Sequence, residues 1–135
     1  MSIYKGTQPL AVLPTNLINT VNEQQALKAD KLYQGFITIS DGNVVLQDNC
    51  SVYFQEVNSA TTFTFDTSNL TKYTNNFCTF EIILLVNTAS PLTFPSNLNW
   101  LGGQAPDVSG TGVFMFSFRK RANWTNWRGC LEGKD

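Results

Sequence analysis

From Gly35 onward, apolar and polar residues alternate with a period of two, and this rhythm limits the possible folds more than any other feature. Successive side chains of a strand point to opposite faces, so such alternation marks a strand buried on one side. Thr61 to Asp66 is the cleanest instance, with Phe63 and Phe65 opposing Thr62, Thr64 and Asp66. Cys50 to Val57 places Val52 and Phe54 on one face, Tyr53 and Gln55 on the other. Phe77 to Asn87 departs from the rule. Cys78, Phe80, Ile82, Leu84 and Val86 share one face, yet Ile83 and Leu85 make the other face apolar too. Such a strand is central in its sheet, or is sealed by another subunit.

Further strands are predicted around Leu92 to Phe94, Leu98 to Leu101, Val113 to Arg121 and Asn126 to Leu131, with Phe114, Phe116 and Phe118 on one side of the third. Asp41-Gly-Asn43 predicts a hairpin joining Gly35–Ser40 to Val44–Gln47. Gly102-Gly103 and Pro106 mark a loop. About eight short strands at roughly 8–12-residue spacing predict an all-β domain, an antiparallel β-sandwich or barrel-like sheet, over residues 35–135.

Residues 1–34 are mixed, and Pro9 and Pro14 interrupt the first stretch. Thr15 to Leu32 is the one segment with helical character. Thr15 or Asn16 would cap it, and Leu17, Ile18, Val21 and Leu27 form an irregular apolar stripe. An arm that is extended or partly helical, ordering against a partner, accounts for this pattern. Its apolar residues Ile3, Tyr4, Leu10, Leu13, Leu17 and Val21 are the candidates for attachment or oligomerisation.

Charged residues make up only 14% of the chain, against roughly 25% in ordinary soluble domains. The polar surface must then come from amides and hydroxyls, supplied by 14 Asn and 15 Thr. A second explanation is that part of the surface is an interface between copies, where charge tends to be depleted. A net charge of −1 provides no overall field for nucleic acid or an anionic membrane. The aliphatic run Ile82 to Val86 is far shorter than the ~20 residues of a spanning helix, so no membrane insertion is expected. The opening Met-Ser-Ile-Tyr-Lys-Gly lacks the apolar stretch of a secretory signal, which suggests cytosolic synthesis or a mature fragment. Cys50, Cys78 and Cys130 are odd in number and lack CxxC spacing. They are expected to be reduced, small apolar residues rather than disulfide or zinc partners.

The chain contains no histidine. Ser-His-Asp triads, Cys-His pairs and most catalytic zinc sites are thereby removed. No GxxxxGK[ST] or GxGxxG phosphate loop occurs. Two carboxylates would suffice for a glycosidase; the interior candidates are Asp41, Asp48, Glu56, Asp66, Glu81 and Asp107. Asp41, Asp48 and Asp107 fall in turn or loop contexts, and no DxDxDG ladder for calcium exists, so a non-enzyme without metal or cofactor is expected. Arg119, Lys120, Arg121, Arg128 and Lys134 are five of the nine basic residues and lie near Trp124 and Trp127. A charged hairpin end beside core tryptophans explains them better than a nucleic-acid site. Aromatic residues also stack on sugars. Tyr73, Trp124 and Trp127, with Asn126 to bond hydroxyls, are the candidate glycan contacts.

Three stretches in order carry a family likeness: Phe94-Pro-Ser-Asn-Leu-Asn-Trp100, Gly102-Gly-Gln-Ala-Pro106, and Gly112-Val-Phe-Met-Phe-Ser-Phe118 closing at Trp127-Arg-Gly129. Together they resemble a recurrent C-terminal β-domain of bacteriophage fibre and appendage proteins. Thr61 to Asp66 and Thr79 to Val86 fit its earlier strands, and Ile3-Tyr-Lys-Gly6 is similar to the start of several phage fibre proteins. The likeness covers roughly residues 35–135. It departs at Arg119-Lys-Arg-Ala-Asn123, where the family more often has an Asp-Gly-type turn. The resemblance implies a non-catalytic virion protein assembled in the cytoplasm of the host bacterium: a head fibre, a capsid decoration or a tail-associated protein. It further implies homotrimers, with the arm docked on other virion proteins, capsid or tail. The alternative function is a lectin-like module recognising host surface glycans.

Overall fold

The computed structural model describes residues 35–135, which form one compact unit. The arm and its attachment candidates, Ile3 to Val21, lie outside the described residues. Ten strands are present among the described residues: β1 (Ile37–Thr38), β2 (Asn43–Val45), β3 (Val52–Val57), β4 (Thr61–Thr62), β5 (Thr64–Asp66), β6 (Phe77–Val86), β7 (Leu92–Thr93), β8 (Leu98–Trp100), β9 (Gly112–Arg121) and β10 (Trp127–Lys134). The domain is all-β, as the alternation requires.

Six strands form the principal sheet in the order β1-β3-β6-β9-β10-β8, and β2-β5 and β4-β7 form two short ladders. The antiparallel expectation is corrected here, because the sheet is mixed. Only β6–β9 and β9–β10 pair antiparallel. The pairs β1–β3, β3–β6, β8–β10, β2–β5 and β4–β7 are all parallel. The cause is the connection. After β3 the chain leaves the sheet for residues 58–76, where β4 and β5 pair elsewhere, and re-enters as β6 running in the original direction. A parallel pair needs such a long crossover.

The hairpin expected around Asp41-Gly42 is corrected for the same reason. The turn itself forms, with Asp41 at φ 57°, Gly42 at φ 74° and Asn43 N donating to Ser40 O at 3.2 Å. Its flanking strands do not pair with each other; β1 joins β3 and β2 joins β5. The turn moves the chain from the large sheet to a ladder. Gly42 is required there, since a Cβ would lie 2.2 Å from Thr62 O. Its N–H donates to the buried Gln55 Oε1 at 3.0 Å, which partners an otherwise costly buried amide.

One face of the large sheet carries Tyr53, Val57, Phe80, Ile82, Leu84, Val86, Phe114, Phe116, Phe118 and Trp127, all in the core. Val44, Leu46 and Phe63 from the ladders and their flanks complete that core, with Phe65, Leu92, Phe94 and Trp100 packed against it. Rings meet in the aromatic geometries of a dense core: Phe63 stacks on Phe94 at 5.0 Å, and Phe65 meets Phe80 edge-on at 5.0 Å. Each ring removed from water contributes about 1.5–3 kcal/mol. Buried Tyr53 keeps its hydroxyl satisfied, accepting from Gln47 N and donating to Cys50 O, both at 2.9 Å.

Candidate interaction surface

The opposite face of the same sheet is the most distinctive surface of the domain. Its side chains follow from the strand register, because residues paired across neighbouring strands share a face. Phe54 aligns with Ile83, Ile83 with Met115, and Met115 with Gly133. Glu56 aligns with Leu85, and Leu85 with Val113. These rows make a half that is apolar apart from exposed Glu56 at its margin. Phe54, Ile83, Leu85 and Val113 are half-buried, Met115 is 36% exposed and Phe36, edge-on to Phe54, is 60% exposed. Gly133 leaves room for Met115 to lie across the sheet, since a Cβ there would sit 2.9 Å from the Met115 Cε. A bulge between Met115 and Phe116 absorbs the extra residue Glu132 of β10.

A middle row, Val52, Glu81, Ser117 and Cys130, separates this half from a cationic one. Ser117 Oγ and Cys130 Sγ lie 3.2 Å apart. In the next row Thr79 aligns with Arg119, Arg119 with Arg128, and Arg128 with Asn99. Arg121 follows opposite Phe77. The Arg121 guanidinium sits 6.0 Å from the Phe77 ring centre, and that of Arg128 sits 5.3 Å from the Trp124 ring. Trp124 in turn meets Phe77 edge-on at 5.3 Å. No ion pair ties Arg119, Arg121 or Arg128 to a carboxylate among the described residues. A cavity of about 270 Å³ opens beside Arg119 and Arg128, walled by Asn99, Thr79, Ser117 and the 80%-exposed Leu101.

The sequence-predicted glycan contacts divide. Trp124 packs beneath Arg128, and Asn126 Nδ2 donates to Asn99 Oδ1 at 3.3 Å, so each touches a residue that lines this cavity without lining it itself. Tyr73 lies at the same end of the sheet in a 3-10 turn, Tyr73–Asn75, where Lys120 Nζ donates to its hydroxyl at 3.2 Å. Trp127 is corrected to a core residue, only 3% exposed, in edge-on contact with Phe65 and Phe80. It has no face left for a sugar. The pairing Arg119–Arg128 escaped sequence reading because it depends on how the turn at residues 122–126 sets the hairpin register; the late basic cluster was its visible trace.

A second cavity, about 350 Å³, lies near Leu46, Asp48, Cys50, Leu70, Tyr73 and Cys78. Asp48 accepts from Thr71 N and from Thr71 Oγ1 at 2.6 Å, which holds its carboxyl below the usual range. Burial pushes the Cys78 thiol up to about 11, so it stays protonated at neutral pH and is a poor nucleophile. All three cysteines are free and half-buried. The other carboxylates singled out above are dispersed. Asp66 accepts from Ser68 N, Asp107 from Ser109 N, and Glu56 from Asn87 Nδ2. No group of three or more Cys, Asp or Glu side chains is placed to hold a metal ion among the described residues. Among them, too, no helix is long and apolar enough to cross a membrane.

Comparison with protein-family models, curated proteins and solved structures yields no match for the chain.

Proposed function

We propose that this chain is a non-catalytic structural protein of a bacteriophage virion, of the head-fibre, capsid-decoration or tail-associated kind, whose β-domain assembles with copies of itself. The observation that carries the proposal is the apolar half of the large sheet, Phe36, Phe54, Ile83, Leu85, Val113 and Met115, on a face turned away from the domain's own core. A sheet face of this kind is stabilised by burial against another surface. The occupant assigned is another copy of the same face, because a broad apolar sheet matches its own kind and charge is scarce across the chain at 14%. A trimer is the arrangement the fibre resemblance implies.

The residues that carry the resemblance lie together in the fold. Leu98, Asn99 and Trp100 pair in parallel with Trp127, Arg128 and Gly129, so two stretches far apart in sequence form one scaffold unit. Gly129 is dictated by packing, since a Cβ would sit 2.8 Å from the Phe118 ring and 3.1 Å from Leu98 Cδ1.

Native mass spectrometry of the full chain tests the proposal. Oligomers, trimers foremost, are expected, with Met115→Lys shifting them to monomers of unchanged near-UV circular dichroism. A chain that stays monomeric at every concentration overturns it. On the particle, deletion of residues 1–34 is expected to abolish incorporation.

A second reading, glycan recognition, is favoured by the cavity at Arg119 and Arg128, which Asn99 lines, with Asn126 bonded to Asn99 and Trp124 packed under Arg128.

A further inference from the structure

Arg119 and Arg128 stand directly opposite each other on adjacent antiparallel strands, and Arg121 lies two residues along the same face. Like charges in directly opposed positions repel. None of the three forms an ion pair with a carboxylate among the described residues, although Glu81 stands in the adjoining row of the same face. A bound anion would relieve the repulsion, and two guanidinium forks match the paired oxygens of a carboxylate or sulfate. The Trp124 ring beneath Arg128 steadies one of them.

The remaining walls have a different chemistry. Asn99 and Thr79 offer an amide and a hydroxyl, the groups that bond sugar hydroxyls, and exposed Leu101 offers an apolar patch for the C–H face of a ring. At about 270 Å³ the cavity suits one or two sugar rings. We infer that the cavity between Arg119 and Arg128 binds the carboxylate or sulfate group of an acidic saccharide. This rests on the glycan reading and is independent of self-association.

Nucleic acid fits these features less well. Tracking a phosphate backbone takes a series of cationic contacts, whereas three arginines gather here in a chain of net charge −1. Base stacking needs a free ring face, and Trp124 already supports the Arg128 guanidinium on its ring, the role it keeps in the saccharide reading.

The test is calorimetric titration of the full chain with four probes: oligogalacturonate, a heparin oligosaccharide, a neutral dextran oligosaccharide and a single-stranded oligonucleotide. Oligogalacturonate or heparin is expected to bind, less tightly as salt is raised, and dextran is not. Arg119→Ala and Arg128→Ala are each expected to weaken binding about tenfold or more, from loss of a charge-assisted hydrogen bond. Arg128→Lys is expected to retain part of the affinity, and circular dichroism checks that each variant is folded. Which acid binds better separates a uronate from a sulfated ligand. Binding of dextran that is indifferent to the arginine substitutions overturns the anion site and leaves glycan recognition standing. Absence of binding to every saccharide overturns both. Tighter binding of the oligonucleotide overturns the saccharide assignment.

Discussion

Phe116 and Met115 are neighbours on one strand and live in opposite circumstances. Phe116 is 0% exposed, within contact of Phe94, Trp100 and Phe118, while Met115 is 36% exposed on the other side of the backbone. The contrast holds along the sheet. Ile82 and Leu84 are fully buried, whereas Ile83 and Leu85 between and beside them are half-buried. At these positions both faces are apolar, so hydrophobicity does not distinguish them; what differs is whether the domain itself supplies the opposing layer. The inner face receives Val44, Leu46 and Phe63 from the ladders and is the folding core. The outer face grades from apolar to cationic along β9, from Val113 and Met115 to Arg119 and Arg121, a pattern suited to contacts beyond the domain.

The inner face is where the comparison is most exposed to failure. Phe116→Ala is expected to destabilise the domain by about 3–5 kcal/mol, because a ring is lost from a filled interior and the cavity relaxes only in part. Urea denaturation followed by tryptophan fluorescence measures it. A loss below about 1 kcal/mol would mean the inner layer is not the core, since surface changes usually stay within about 0.5 kcal/mol.

Gly129→Ala sharpens the comparison at the sheet's other margin. The added methyl meets the Phe118 ring and Leu98, both on the inner side. Overpacking of this kind costs about 1–3 kcal/mol, so the denaturation midpoint is expected to fall clearly. The companion Phe118→Leu, which opens the space the methyl needs, should recover part of the loss in the double variant relative to the two single changes added together. Simple additivity would show that the glycine answers to something other than this contact.

Much of this was legible in the residues. The alternation of Thr61 to Asp66 and the doubly apolar run beginning at Phe77 located strands to within a few residues, because side-chain period is a local property. Strand direction was not legible. Whether β6 returns parallel to β3 depends on residues 58–76 crossing to the ladders, a non-local event that no turn motif records. Asp41-Gly42 shows the same limit. Its left-handed backbone was readable, but a turn that favours a hairpin serves equally to carry the chain between layers. In the candidate site, Trp124 and Asn126 could be named from residue chemistry, while Trp127 was misjudged because tryptophan is suited both to sugars and to cores. Burial decides between them, and burial comes from partners distant in sequence such as Phe65 and Phe80.

The smallest expected effect is the most discriminating. Met115→Ala removes a side chain from the outer face, on the same strand and one residue from Phe116. In the dissociated domain it is expected to cost less than about 1 kcal/mol, because the side chain keeps much of its exposure and leaves no enclosed cavity. At concentrations where copies associate, the same substitution removes buried surface from the proposed interface, worth about 25 cal/mol per Å². Its apparent cost should therefore grow with protein concentration, which thermal unfolding across a dilution series measures. A cost that is small and independent of concentration would leave Met115 an ordinary surface residue and move the interface elsewhere. A large cost in the isolated monomer would show instead that the outer face is sealed within a single chain, and the contrast between Phe116 and Met115 would then reflect depth in one core rather than folding against assembly.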